Sequence, residues 1–233
     1  AESDSDLAWR VNVDGTRNVL EAARKHGVSR VIFTSTVATY GAGLPEPITE
    51  DAPQWPEGLY GVTKVLGERL GVYYQRRFGI DFRGVRLAAM VAPNAPAGGA
   101  ASAFVCDLYV NALKKGMYDL YVYPSSHVPV VWVDDVVRAL QLLNDAESNR
   151  LTRTVYHIVG VGPTVQEMVD AVQARLPNAK LRFKIDPVRA DIVDSWPSRL
   201  DDSSARNDWG WDPTFDLERM TDANLAALSK LEA

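Results

Sequence analysis

The residues with the clearest chemical potential are a tyrosine and a lysine four positions apart, Tyr60 and Lys64. In a helix, residues with this spacing lie one turn apart on the same face. A tyrosine with a pKa of about 10 is a poor base at neutral pH, but an ammonium held beside it favours the phenolate. Lowering the pKa by about three units takes about 4 kcal/mol, which a positioned lysine and a bound cationic cofactor can supply. The pair therefore indicates acid–base chemistry, although the spacing alone also fits a solvated lysine beside a core tyrosine.

The pair needs a scaffold, and its neighbours in sequence supply one. The helix that carries it is predicted over residues 59–78, between apolar segments at 30–36 and 81–90 that read as buried strands. Strand, helix and strand in this order are typical of a parallel sheet with helices on its faces. Ligands bind at the carboxyl ends of such strands. The first strand ends in three hydroxyl-bearing residues, which are Thr34, Ser35 and Thr36.

The remaining elements follow from apolar periodicity and from glycine and proline positions. Helices are predicted at 6–26, 102–115, 133–143, 164–176, 202–208 and 216–231, and strands at 118–123, 154–159 and 181–185. The proline-rich segment 41–58 and the segment 93–99 read as loops. Trp196, Trp209 and Trp211 indicate a small C-terminal lobe packed by aromatic side chains.

Composition excludes several classes of function. The 233 residues are 46% hydrophobic with a formal net charge of −5, so nucleic acid and anionic membranes are not expected partners. No apolar run reaches the roughly 18 residues of a membrane span, and the N-terminus lacks a signal pattern. The single cysteine, Cys106, is typical of a reducing compartment and predicts a cytoplasmic location. Three scattered histidines and this cysteine show no metal-ligand spacing, so no metal site is predicted.

A glycine-rich dinucleotide motif is not found in this sequence. Such a motif joins a strand to a helix and cradles the pyrophosphate. Gly41 and Gly43 stand in the proline-rich loop, and Gly98-Gly99 is not followed by a suitably spaced third glycine. A pyrophosphate cradle is therefore not predicted within these residues.

Several motifs in order carry a family resemblance: the hydroxyls at 34–36, Tyr40-Gly41 and the stretch 60–64. With them the chain resembles the extended short-chain dehydrogenase/reductases, the superfamily of NAD-dependent epimerases and dehydratases. Residues 12–23 resemble the helix before the fourth strand of that fold, so the chain is expected to begin after the first βαβαβ half. The resemblance implies an α/β, Rossmann-like doubly wound parallel sheet, without its N-terminal strands, and a small C-terminal substrate lobe.

The same resemblance implies a division of the chain into two parts. Residues 1–160 correspond to the dinucleotide-binding and catalytic part, with substrate-lobe insertions around 93–125. Residues 161–233 correspond mainly to the substrate-binding lobe.

Within the superfamily, the chain looks most like the short-chain type of L-threonine 3-dehydrogenase. The similarity lies in residues 60–65, 151–153, 194–197 and 201–211. One departure is that Gly98-Gly99 is followed by Ala100-Ala101-Ser102, where the family usually has two threonines near the substrate. Fewer hydroxyls are then left to bind a carboxylate or an amine. Residues 94–104 also resemble dehydrogenases of short polyhydroxy acids such as erythronate.

The resemblance assigns roles to individual residues. Tyr60 is expected to take the proton of the substrate hydroxyl, Lys64 to lower the pKa of Tyr60, and Thr36 to orient the hydroxyl. NAD is the expected cofactor, and its predicted contacts are Thr34, Ser35, Tyr60, Lys64, Leu87 and Met90. The predicted substrate contacts are Thr36, Tyr60, Ala100 and Trp196. Several of these residues also have a structural interpretation. Ser35 and Thr36 are consistent with hydroxyls that bond to the backbone at a strand end. Leu87 and Met90 are consistent with residues of a core strand, and Trp196 is consistent with packing alone.

Four hypotheses for function follow. The first is an NAD-dependent dehydrogenase of a small 3-hydroxy acid that oxidises L-threonine to 2-amino-3-ketobutyrate, a step of threonine catabolism. The others are a dehydrogenase of a short polyhydroxy acid, a nucleotide-sugar epimerase or dehydratase, and an inert fragment in which Tyr60 titrates near its reference pKa. Apolar residues on the outer faces of the helices at 6–26 and 59–78 predict a homodimer through a four-helix contact.

Overall fold

The computed structural model describes residues 4–93 and 102–231. Its helices are α1 (Ser5–Trp9), α2 (Gly15–Lys25), α3 (Leu59–Phe78), α4 (Phe104–Lys115), α5 (Val133–Asp145), α6 (Val165–Arg175), α7 (Pro187–Asp194), α8 (Ser203–Trp209) and α9 (Leu217–Lys230). Its strands are β1 (Arg30–Thr36), β2 (Asp81–Leu87), β3 (Ala89–Val91), β4 (Met117–Leu120), β5 (Val130–Trp132), β6 (Val155–Ile158) and β7 (Lys180–Phe183). A π-helical turn spans Arg10–Asp14, and short 3₁₀ turns span Val37–Thr39 and Ser148–Arg150.

The chain divides into two units that alternate along the sequence. The sheet unit consists of Ala1–Leu87, Arg138–Ile158 and Leu200–Asp212, and the second unit of Ala88–Val137, Val159–Arg199 and Pro213–Ala233. The functional boundary between residues 160 and 161 stays a prediction. Trp209 and Trp211 belong to the sheet unit, where the Trp209 ring packs edge-on against Tyr156 at 5.7 Å, so they do not form a C-terminal lobe with Trp196.

The sheet unit contains a three-stranded parallel sheet in the order β1-β2-β6. This confirms the α/β class and the parallel pairing predicted for the segments on either side of α3. α3 approaches the sheet closely because Gly67 and Gly71 present no side chain to the rings of Phe33 and Phe82. The helix ends at Gly79, whose φ of 74° is left-handed and favours glycine.

The predicted helix 6–26 is present but not regular. α1 and α2 are joined by the π-helical turn Arg10–Asp14, in which one extra residue widens the backbone. The apolar periodicity of this segment could not show the change in winding, since it reports only which face is buried.

The second unit contains two parallel strand pairs, β3 with β5 and β4 with β7. The predicted strand 81–90 is in fact two strands, because β2 and β3 pair with different partners and belong to different units. β5 has only three residues and α7 begins with Pro187 at its first position, and neither element was predicted. Thr164 caps α6 as predicted, in a reciprocal capping box with Glu167.

Candidate active site

Tyr60 and Lys64 lie one turn apart at the start of α3, as their spacing predicts. The Lys64 ammonium donates a hydrogen bond of 2.9 Å to the backbone carbonyl of Thr34 in β1. It lies 5.6 Å from the centre of the Tyr60 ring and 5.1 Å from that of Phe33. The lysine therefore joins the first two turns of α3 to the carboxyl end of β1.

The start of α3 also touches the segment that follows β1. A Cβ at Gly61 would lie only 2.1 Å from the carbonyl oxygen of Ala38, so the residue after Tyr60 has to be glycine for this approach. Thr36 ends β1 and caps the following 3₁₀ turn, where its Oγ1 accepts a bond of 3.2 Å from the Ala38 N–H. The local bonding predicted as an alternative for Thr36 is thus present, and its hydroxyl proton remains available for another acceptor.

A second contact holds the backbone of Tyr60. The Thr63 hydroxyl donates to the Tyr60 carbonyl at 2.7 Å and accepts a bond of 3.1 Å from the Asn12 amide. Asn12 lies in the π-helical turn, which turns its side chain towards α3. This contact of Asn12 was not predicted, because periodicity does not show a π-helical turn.

Burial dominates the electrostatics of the pair, and the lowering of the Tyr60 pKa by Lys64 stays a prediction. Burial raises the pKa of Tyr60, although 41% of the residue surface is exposed. Burial also lowers the pKa of Lys64, and the negative charge of Glu68 opposes that change. The ammonium donates to the Thr34 carbonyl, so desolvation rather than Lys64 dominates the pKa of the phenol in this structure.

A buried polar row crosses the sheet beside this pair. Ser35, Arg86 and His157 stand in register on β1, β2 and β6, each one residue before the end of its strand. They are at most 4% exposed. Glu68, four residues after Lys64 on α3, faces them and accepts hydrogen bonds from Ser35 and Arg86.

Glu68 and Arg86 were not among the predicted site residues. Two signals were available: Glu68 continues the four-residue spacing of Tyr60 and Lys64, and Arg86 interrupts an apolar strand. Burial alone would raise the pKa of Glu68, but the hydrogen bonds and charge of Arg86 bring it below its usual value. Ser35, predicted to contact the cofactor, is 3% exposed and donates to Glu68.

His157 is a neutral structural residue at the far end of this row. Its Nδ1 lies 2.8 Å from the carbonyl oxygen of Asp201, which only accepts, so Nδ1 carries the proton. Nε2 then accepts from the Tyr40 hydroxyl at 2.6 Å. Burial lowers the pKa of His157 to about 4, which agrees with the neutral form at physiological pH.

The other predicted site residues are placed as follows. Leu87 is the last residue of β2 and is half-buried. Met90 and Trp196 belong to the second unit, where Met90 is 43% exposed and Trp196 packs against the hydrophobic core. Ala100 lies outside the described residues. Within the sheet unit, Lys64 and Tyr60 on α3 thus lie beside the end of β1, where Lys64 bonds to Thr34, Ser35 bonds to Glu68 of the same helix, and Thr36 is the last residue of the strand.

Two further observations concern the described residues as a whole. Among residues 4–93 and 102–231, no group of three or more histidine, cysteine, aspartate or glutamate side chains is placed to hold a metal ion. None of the helices in the described part of the chain has the length and apolar character needed to cross a bilayer.

Comparison with known proteins adds a family context. Residues 1–158 match the model of the NAD dependent epimerase/dehydratase family. The chain is 34% identical over 220 residues to the mitochondrial L-threonine 3-dehydrogenase of Bos taurus, covering 94% of this chain and 59% of the bovine protein. It is also 34% identical over 235 residues to an uncharacterised epimerase/dehydratase of Staphylococcus haemolyticus, of which it covers 73%. The chain thus spans about three-fifths of the length of the bovine relative.

Solved structures show the same similarity in three dimensions. The crystal structure of L-threonine dehydrogenase from Phytophthora infestans superimposes with a TM-score of 0.91 at 34% identity. The match covers 99% of this chain and 75% of that one. The parallel sheet and its helices are therefore arranged as in a Rossmann-like threonine dehydrogenase.

Proposed function

The chain belongs to the NAD dependent epimerase/dehydratase family, and from this we propose that it is the catalytic part of an NAD-dependent oxidoreductase. We propose L-threonine as the substrate, oxidised at its hydroxyl to 2-amino-3-ketobutyrate. The observation that carries the proposal is the Tyr60–Lys64 pair, held by a bond from Lys64 to the carboxyl end of β1. The names of the bovine and Phytophthora relatives support threonine.

The residues present fit the nicotinamide end of the cofactor. The Lys64 ammonium has three N–H donors and uses one of them on the Thr34 carbonyl, so it has the capacity to bind ribose hydroxyls. Thr34 is exposed at the carboxyl end of a parallel strand, where α/β sheets bind nucleotides. When bound, NAD⁺ supplies the acceptor for the hydride and a positive charge near Tyr60.

Proton transfer from the substrate falls to side chains of this protein. In the oxidation, the Tyr60 oxygen accepts the proton of the substrate hydroxyl, so Tyr60 has to enter the step as phenolate. Because burial raises the pKa of Tyr60 here, added positive charge is needed to stabilise that form, and Lys64 is one turn away to provide it. The Thr36 hydroxyl retains a donor with which to orient the substrate oxygen.

We also propose a homodimer formed through α1, α2 and α3. Support comes from large apolar side chains that these helices and the π-helical turn expose in the single chain. They are Leu7, Trp9, Val11, Val19, Val62 and Tyr73, each between 44% and 61% exposed. The cytoplasmic location also stays a prediction from the single cysteine, and the bovine relative is mitochondrial.

The test is an assay of NAD⁺ reduction by the purified protein with L-threonine and, separately, with erythronate. We expect turnover with L-threonine, and we expect Tyr60→Phe to lower kcat by about 10²- to 10⁴-fold, since the base is removed while the ring remains. Tyr73→Phe is the matched control, because it removes a hydroxyl from the same helix and keeps the apolar ring that the proposed dimer contact uses. It should retain wild-type kcat.

Three results would contradict parts of the proposal. Faster turnover of erythronate than of L-threonine would change the proposed substrate. Equal kcat values for the wild type and Tyr60→Phe would show that Tyr60 is not the base. If calorimetry shows no NAD⁺ binding and no substrate is oxidised, the chain as purified is an inert fragment.

A further inference from the structure

A buried ion pair joins the catalytic helix to the middle strand of the sheet. The two Glu68 oxygens accept from Arg86 Nε at 3.0 Å and Arg86 Nη2 at 2.8 Å, a forked arrangement that sets both distance and angle. Glu68 is 1% exposed and Arg86 is 4% exposed. The same carboxylate accepts from the Ser35 hydroxyl and, at 3.0 Å, from the Gln54 amide. Four donors thus converge on one side chain of α3.

The remaining arm of Arg86 continues the network across the sheet. Arg86 Nη1 donates to the Tyr40 hydroxyl at 2.5 Å and to the Glu50 carbonyl at 3.0 Å. Tyr40 in turn donates to His157 on β6. Through Arg86, the position of α3 is therefore tied to all three strands and to the loop that precedes the helix.

Packing and directional hydrogen bonds both constrain this helix. The face with Gly67 and Gly71 can approach the rings of Phe33 and Phe82 without a clash, so packing selects which side of the helix meets the sheet, and the bonds to Glu68 refine that placement. Buried ion pairs add little stability compared with apolar replacements, so their contribution is better sought in geometry. Directional bonds to Glu68 select a single rotation and a single height of α3 on the sheet.

That rotation decides where the proposed chemistry takes place. Glu68 lies one turn from Lys64 and two turns from Tyr60 on the same helix face. Ser35, which it binds, stands between Thr34, the partner of Lys64, and Thr36. A helix that turned or slid would separate the Lys64 ammonium from the Thr34 carbonyl and move Tyr60 relative to Thr36.

We propose that Glu68 and Arg86 are positioning residues that align Tyr60 and Lys64 with the carboxyl end of β1 for hydride and proton removal. The inference rests on the proposed dehydrogenase function. Neither residue contacts the reacting atoms; they act through the placement of α3.

Arg83 provides a matched control on the same strand. It is 1% exposed, binds the carboxylate of Asp81 at 2.8 Å and donates to the Ala146 carbonyl at 2.8 Å. It stands three residues before Arg86, so its side chain points to the opposite face of the sheet and away from α3. Arg86→Lys and Arg83→Lys each keep the charge and remove a fork bonded to a carboxylate and a carbonyl.

The experiment compares Arg86→Lys, Glu68→Gln and Arg83→Lys in the purified protein, by thermal unfolding and by steady-state kinetics with protiated and deuterated substrate. We expect all three variants to lose stability. Only the Glu68 and Arg86 variants should lower kcat, by about 10- to 100-fold, because a displacement of about 1 Å is enough for such a loss. They should also raise the primary deuterium isotope effect on kcat, since the chemical step is the one slowed.

Wild-type kcat and isotope effect in folded Arg86→Lys and Glu68→Gln would overturn the proposal and leave a purely structural ion pair. If the wild type itself oxidises no substrate, the proposed function fails separately. Crystal structures of the same variants then decide: an unchanged 2.9 Å contact between Lys64 and Thr34 overturns positioning, and its loss supports it. Should Glu68→Gln fail to fold, the comparison of Arg86→Lys with Arg83→Lys is still decisive.

Discussion

Replacing Gly71 by alanine should destabilise the protein, although alanine is the better helix former. Gly71 lies in the interior of α3, where alanine is favoured over glycine by about 1 kcal/mol. A Cβ there would, however, lie 2.0 to 2.2 Å from three atoms of the Phe82 ring. Phe82 is 1% exposed and packs against Phe33 at 5.9 Å between ring centres, so the ring has no solvent to move into.

The expected loss of stability in Gly71→Ala is the cost of the clash minus the gain in helix propensity. Overpacking a core costs about 1 to 3 kcal/mol, and a contact this short belongs at the upper end. Subtracting the gain in helix propensity leaves a net loss of about 2 kcal/mol. For a chain of this length, 1 kcal/mol corresponds to about 2 to 4 °C, so Tm should fall by about 4 to 8 °C.

Gly15→Ala is the control for this substitution. The nearest atom to a Cβ at Gly15 is the Arg10 carbonyl oxygen at 3.7 Å, an ordinary contact, and its φ of −58° is helical. Gly15→Ala should therefore stabilise the protein by about 0.5 to 1 kcal/mol. Both variants are measured by urea unfolding and by thermal unfolding. Adding Phe82→Leu should recover part of the stability lost in Gly71→Ala, whereas in the Gly15→Ala background it should only destabilise the protein. A Tm for Gly71→Ala at or above that of the wild type would refute the close packing of α3.

Two further substitutions test the buried polar groups. Asn224 is 0% exposed, and its amide atoms have no hydrogen-bond partner within residues 4–93 and 102–231. Asn224→Leu should therefore raise the free energy of unfolding by about 1 to 3 kcal/mol. A lower free energy of unfolding for Asn224→Leu in urea would show that the amide is bonded. His157 has a folded-state pKa of about 4 against an ordinary 6.5, so the unfolded chain takes up its proton first as the pH falls. The free energy of unfolding should then drop by about 2 kcal/mol from about pH 8 to about pH 5, and His157→Gln should remove that part of the drop. An equal pH dependence of unfolding in the wild type and in His157→Gln would contradict a neutral buried histidine.

The sequence alone was sufficient for the elements that depend on local geometry. The bounds of α3, the shared face of Tyr60 and Lys64, the end of the helix at Gly79 and the cap at Thr164 all follow from spacing and backbone preference. The parallel pairing of β1 with β2 follows from the strand–helix–strand order. These features involve residues within a few turns of one another, or a connection with one strongly favoured handedness.

Only the tertiary structure decided which polar residues meet across elements. Strand register placed Arg86 between Ser35 and His157, and the packing of α3 then brought Glu68 to Arg86, joining residues 18 positions apart. In the same way, the division of 81–90 into β2 and β3 depended on the different partners that the two strands found. The desolvation that raises the pKa of Tyr60 arises from the folded surroundings and not from its spacing to Lys64. Spacing determines which residues share a face of one helix, whereas register, burial and charge pairing depend on neighbours that are distant along the chain.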